Sequence, residues 1–257
     1  VYDILQQLAE RAGILPADWP SLAALAPVDR AHIISRRLKG QSLGEATADL
    51  LRSFGHHSLS HALLGGLPVE EIVTTNYDVL FEDASAAADF PVRVLPKRPR
   101  PGDRRWLLKM HGCVTQPESI VLTREDYLRY EERRAALTGI VEALLITRHM
   151  LFVGFGLADD NFHRIADAVR RVIHPPMILK SRREPFGTAL VLDRNPLQRE
   201  LWEGDLIWAA LAAPHSTTPD VDTTAEAARR LDIFLDCVLA KTRSTAYLLN
   251  PHYDALL

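Results

Sequence analysis

Two short segments of this chain carry the residue types that chemistry needs. Val73-Thr74-Thr75-Asn76-Tyr77-Asp78 and Lys109-Met110-His111-Gly112 each stand where an apolar run stops, after Ile72 in the first case and after Trp106 to Leu108 in the second. A strand that ends in polar groups delivers them to the edge of a sheet, and in open α/β sheets that edge is where ligands bind. Histidine as a residue type titrates near neutral pH and transfers protons. The amide of Asn76 offers donors and an acceptor together, so it can orient a hydroxyl and a water at once. Plainer readings stand beside these. A histidine before glycine is also a turn residue, Asn76 alone suits an Asx-turn, and Asp78 is equally able to cap a helix starting at Val79.

The elements around the two segments follow from periodicity. Residues 1–66 read as helical: Val1, Ile4, Leu5 and Leu8 keep i, i+3, i+4, i+7 spacing before Gly13, and Ser42 to Phe54 repeats the pattern. Gly65-Gly66 and Pro68 then break the chain. Between residues 67 and 215, short apolar runs alternate with helical ones. The expected strands are 71–74, 92–95, 105–110, 120–123, 150–154, 189–193 and 206–211. Helices are expected at 79–88, from Thr123 to about Arg148, from Asp159 or Asp160 to about Ile173, after Asn195-Pro196, and over 225–241 in a C-terminal helical segment, 216–257. Thr123 with Asp126 forms an S/T-x-x-D/E capping signal. Alternation of this kind predicts an α/β fold with a mostly parallel sheet, helices on both faces, and an N-terminal helical segment.

Composition narrows the function classes. The chain has 257 residues, 47% hydrophobic and 25% charged, with a net charge of −3. That balance argues against direct nucleic-acid binding. No apolar run approaches the roughly 20 residues of a membrane span, and the N-terminus lacks the pattern of a signal peptide, so a cytoplasmic location is expected. Two cysteines, Cys113 and Cys237, fit a reducing compartment. Cys113 reads as a small buried residue. His57 and His61, four apart, can share a helix face as metal ligands do, but no third ligand is evident and no metal is expected. Lys97 to Gly102 with Arg104 and Arg105 reads as a solvated basic loop.

The motifs resemble the sirtuin superfamily, and within it the bacterial SIR2-like NAD hydrolases of antiphage defence. Thr74-Thr75-Asn76-Tyr77-Asp78 is similar to the sirtuin T-Q-N-I-D segment, and Lys109-Met110-His111-Gly112 to the one carrying the catalytic histidine. Ser119 to Thr123 with Glu125-Asp126-Tyr127, and Leu151 to Leu157 with Asp159-Asp160, follow in the family's order. The resemblance implies a single Rossmann-like, SIR2-like domain over 1–257 with NAD+ as substrate. It casts His111 as the base and Asn76 as the orienting amide, with Thr75 at the ribose and Asp78 at the nicotinamide carboxamide. Gly154 and Gly156, in the stretch similar to the family's phosphate-side and ribose-side loop, would face a phosphate or ribose, and a tight βα turn explains them equally well. Apart from the resemblance, the strand-end place of Asp193 suits adenosine ribose hydroxyls, with Asn195 beside it, and a plain strand end and an Asn-Pro helix start explain them as well. The resemblance also implies a homo-oligomer or a defence-system partner protein.

Two departures matter. The family's opening Gly-Ala-Gly-x-Ser loop is not in this sequence, and the helix at Val1 resembles the region just after it, so that loop is expected upstream. The paired C-x-x-C zinc module of the deacetylases is also missing, which favours hydrolysis. The alternatives are an NAD-dependent protein deacylase or ADP-ribosyltransferase, and a catalytically inactive nucleotide-binding or scaffold subunit.

Overall fold

Apolar side chains at helical spacing predict the N-terminal helices, and the computed structural model contains five: α1 (Tyr2–Arg11), α2 (Trp19–Ala23), α3 (Pro27–Arg37), α4 (Leu43–Arg52) and α5 (Leu59–Gly66). The structure describes residues 2–96, 100–173, 184–192, 196–211 and 221–242. Leu5 and Leu8 of α1, Ala31 and Ile34 of α3, and Ala46 and Leu50 of α4 close into one buried cluster. Helix α4 starts on a reciprocal cap. Ser42 Oγ accepts from the Glu45 amide at 3.2 Å, and the Glu45 carboxylate accepts from the Ser42 amide at 2.7 Å. Ser42→Ala is expected to lower stability by about 1 kcal/mol, read as a shift of the urea unfolding midpoint at constant slope.

The chain divides into two compact units, Val1–Leu137 and Thr138–Leu257. In the first, β1 (Glu71–Thr74), α6 (Leu80–Ala87), β2 (Arg93–Leu95) and β3 (Trp106–Lys109) build a parallel sheet of order β1-β3-β2. Its register pairs Thr74 with Lys109 and Leu95 with Leu108. Then come α7 (Arg124–Leu128) and α8 (Tyr130–Thr147). The second unit has β4 (Met150–Val153), α9 (Asp160–Ile173), β5 (Gly187–Val191), α10 (Pro196–Leu201), β6 (Leu206–Ala210) and α11 (Val221–Thr242), with parallel order β4-β5-β6. Its aromatic centre is Trp202, tilted against Phe162 at 5.6 Å and stacked on His163 at 5.2 Å. Arg170 lies 5.0 Å from the Trp202 ring and reaches the Asp205 carboxylate at 2.6 Å, joining α9 to the start of β6.

Five expectations need correction. Residues 120–123 form no strand. Ile120 and Val121 are buried, but the capping box claims the backbone that follows: the Leu122 and Thr123 amides both donate to Asp126 Oδ2. The helix predicted from Thr123 to Arg148 is two helices, α7 and α8, and inside α8 Arg134 leaves helical geometry (φ −134°, ψ 18°). His57 and His61 share no helix face, because α5 begins only at Leu59; His61 Nδ1 instead sits 2.7 Å from the hydroxyl of Ser58, the N-cap. Arg105 is not part of a solvated basic loop. It is buried, donating to the carbonyls of Val69 and Gly65 at 2.9 and 2.8 Å and also to that of Phe90. Three backbone carbonyls thus accept from the Nε and Nη1 of a cation that the sequence alone assigns to water. The run 189–193 begins two residues earlier, at Gly187, and Asp193 and Asn195 lie outside the described residues.

Candidate active site

β1 and β3 stop in register, so their polar extensions leave the sheet side by side. Asn76 follows Thr74 by two residues, and His111 follows its paired partner Lys109 by two. Four hydrogen bonds then fasten the Thr75–Asp78 turn to the histidine segment. The Met110 amide donates to Thr74 O at 2.9 Å and the Val114 amide to Tyr77 O at 2.8 Å. The Tyr77 hydroxyl donates to Val121 O at 2.9 Å, and Lys109 Nζ donates to Asp78 O.

Lys109 is the last residue of an apolar strand and only 2% exposed; its ammonium pairs with Glu82 of α6 at 2.8 Å. Burial pushes the Glu82 carboxyl above its ordinary range, and the nearby Lys109 charge opposes that shift. The pair fixes the start of α6 beneath the turn. Asp78 has a local task as well: its Oδ1 accepts from the Leu80 amide at 3.0 Å. Asn76 is exposed, and its backbone N–H donates to Thr74 Oγ1 at 3.1 Å; Thr75 is half-buried.

His111 is 4% exposed. Its ring meets Tyr127 edge-on at 5.6 Å and Tyr130 at 5.9 Å, which fixes the imidazole plane by shape. The carbonyl of His111 accepts from the Val121 amide at 2.9 Å. Gly112 adopts φ +94°, and a Cβ there would stand 2.1 Å from Ser119 O, so the histidine turn packs directly on the backbone at Ser119. A cavity of about 680 Å³ opens at the carboxyl ends of β2 and β3, lined among others by Leu95, Lys109, Gly112, Ser119, Tyr130 and Arg134. His111 and Asn76 are not among its lining residues.

Sequence reasoning missed several of these groups. Glu82, Tyr130 and Arg134 sit in helical stretches whose charges read as a solvated face. The one available signal was Lys109, a cation closing an apolar run, which calls for a buried partner.

In the second unit, Gly154 (φ +62°) and Leu157 (φ +54°) shape the turn after β4. Gly154 and Gly156 are exposed, and Gly156 O accepts from Gln198 Nε2 at 3.1 Å. Asp159 caps α9 through the Phe162 amide at 3.0 Å. Among the described residues no group of three potential metal ligands occurs, and no helix is long and apolar enough to cross a membrane.

Known proteins share this sequence pattern. A 143-residue stretch is 33% identical to the NAD(+) hydrolase ThsA of Enterococcus faecium, covering 52% of this chain and 30% of that protein. A 159-residue stretch is 30% identical to the protein of the same name from Bacillus cereus (strain MSX-D12), covering 57% and 33%. Defense-associated sirtuin 2 of Bacillus subtilis is 27% identical over 125 residues, covering 45% and 12%. The matched stretches thus span a third or less of these relatives' length. The family described as "SIR2-like domain" matches residues 70–205, more than half of the chain and the whole run from β1 to the foot of β6, and the chain belongs to that family.

Proposed function

We propose that this chain carries the cleavage centre of an NAD+ hydrolase that releases nicotinamide and ADP-ribose. It would act in the cytoplasm as an antiviral effector, in a homo-oligomer or with a defence-system partner. Support comes from relatives named NAD(+) hydrolase and defense-associated sirtuin. The observation that carries the reading is the register of β1 on β3, which sends Asn76 and His111 from paired strand ends at one edge of the sheet. On this reading the two units belong to one SIR2-like domain.

The chemistry breaks the bond between the ribose anomeric carbon and the pyridinium nitrogen. The bonding pair leaves with nitrogen, so nicotinamide departs neutral, and the ribose passes through an oxocarbenium-like state. A water oxygen bonds to the anomeric carbon and gives up a proton. His111 takes that proton, directly or through a ribose hydroxyl, and the Asn76 amide orients the hydroxyl and the water. Thr75 is assigned to the ribose and Asp78 to the carboxamide. Gly154, Gly156, Asp193 and Asn195 keep the nucleotide-contact roles inferred from the sequence.

Incubation of the assembled protein with NAD+ and chromatography of the products is the test. Equimolar nicotinamide and ADP-ribose are expected. Acyl-ADP-ribose or ADP-ribosylated protein would replace this reading with group transfer, and absence of any cleavage would replace it with a scaffold. Asn76→Ala is expected to slow nicotinamide release by roughly ten- to a hundredfold while leaving the fold intact, because the amide is exposed and only its orientation of the reactants is lost.

A further inference from the structure

Arg134 stands out as a half-buried cation held by carbonyl oxygens. Its Nη1 donates to Met110 O at 2.9 Å and its Nη2 to Ser119 O. The guanidinium carbon lies 5.9 Å from the centre of the Tyr130 ring, and Tyr130 in turn donates to the same Met110 O at 3.1 Å. Burial lowers the guanidinium's proton affinity, the expected effect of taking a charge from water. The two carbonyls it grips are informative. Met110 immediately precedes His111, and Ser119 O is the atom against which Gly112 packs. One planar fork therefore holds the backbone before the histidine and the backbone facing the glycine after it.

The helix gives up regular geometry at this same residue. Arg134 adopts φ −134° and ψ 18° inside α8, four residues beyond Tyr130, whose ring touches His111. A non-helical residue inside a helix costs energy, so a compensating interaction is required. The fork onto two carbonyls, with the cation beside the Tyr130 ring, is such an interaction. We propose that Arg134 is the positioning residue of His111: the kink in α8 hands its guanidinium to the Met110 and Ser119 carbonyls and so sets the imidazole's place. The positioning rests on the geometry, and its consequence for turnover rests on the proposed NAD+ cleavage.

The cavity supplies the test, because Arg134 lines it and truncation leaves an opening that a small cation can enter. Nicotinamide release would be measured for the full chain, Arg134→Ala and Arg134→Lys, with and without methylguanidinium at non-denaturing concentration. Arg134→Ala is expected to lose about ten- to a hundredfold in kcat with little change in KM, since Arg134 is assigned no contact with NAD+. Methylguanidinium, but not equal sodium chloride or urea, should restore part of the rate. Arg134→Lys should fall between, because an ammonium cannot reproduce the fork. Nitrogen and ring-proton NMR signals of His111 provide a second readout that needs no turnover: they should shift in Arg134→Ala and return with methylguanidinium. If the wild type cleaves no NAD+, the functional reading fails while the NMR shift and its reversal still decide the positioning. Unchanged His111 signals in Arg134→Ala, or wild-type kcat, would overturn the inference. So would a folded variant that methylguanidinium does not rescue. Should Arg134→Ala fail to fold, Arg134→Lys is read on the same two measures, and wild-type kcat with unshifted His111 signals there would overturn it equally.

Discussion

His111→Ala is expected to reduce nicotinamide release from NAD+ by about a thousandfold, within the range that loss of a general base produces. The imidazole is 4% exposed and bounded by two tyrosine edges, and alanine removes both of its ring nitrogens from that packing. The measurement is steady-state product formation, with circular dichroism and the thermal midpoint confirming that the variant folds. Loss should appear in kcat and kcat/KM together, the mark of an interaction made in the transition state. Turnover within tenfold of wild type would move the base elsewhere and sink the mechanism.

A second large effect is expected at Gly112, here on stability. Alanine at φ +94° is strained, and its Cβ would sit 2.1 Å from Ser119 O, an oxygen already held by Arg134. Neither backbone can yield without breaking that bond or the one from the Val121 amide to His111 O. Strain and overpacking together suggest a loss of about 3 kcal/mol, a large part of the usual margin of a domain. Urea unfolding would show it as a lower midpoint. An unchanged midpoint would mean that the turn shifts freely and that the glycine is incidental.

Much of this was legible in the sequence. The expected strand 71–74 and β1 coincide, because Ile72 and Val73 form a short β-branched apolar pair between the break at Pro68 and the polar Thr74-Thr75-Asn76. The Thr123 cap formed as its spacing indicates, and α4 lies inside the helical run expected from Ser42 to Phe54. The failures arise where a side chain claims backbone groups, some of them local and some distant. Ile120 and Val121 look like a strand, yet a side-chain carboxylate takes the backbone groups that a ladder would need. Arg105 looks like part of a basic loop, yet carbonyls from distant segments enclose it. Arg134 reads as one of four consecutive charges, and nothing local says that it turns inward to two carbonyls. Periodicity reports which face of an element is apolar; it is silent on which cation will find oxygen partners across the fold.

The quadruple fastening of the Thr75–Asp78 turn to the histidine segment has a mechanical consequence. Bonds at Thr74 on one side and at Tyr77 and Asp78 on the other tether the turn at both of its ends, with Thr75 and Asn76 between them. For the proposed catalyst, a shift of the histidine segment would therefore pull on both ends of the turn that carries Asn76.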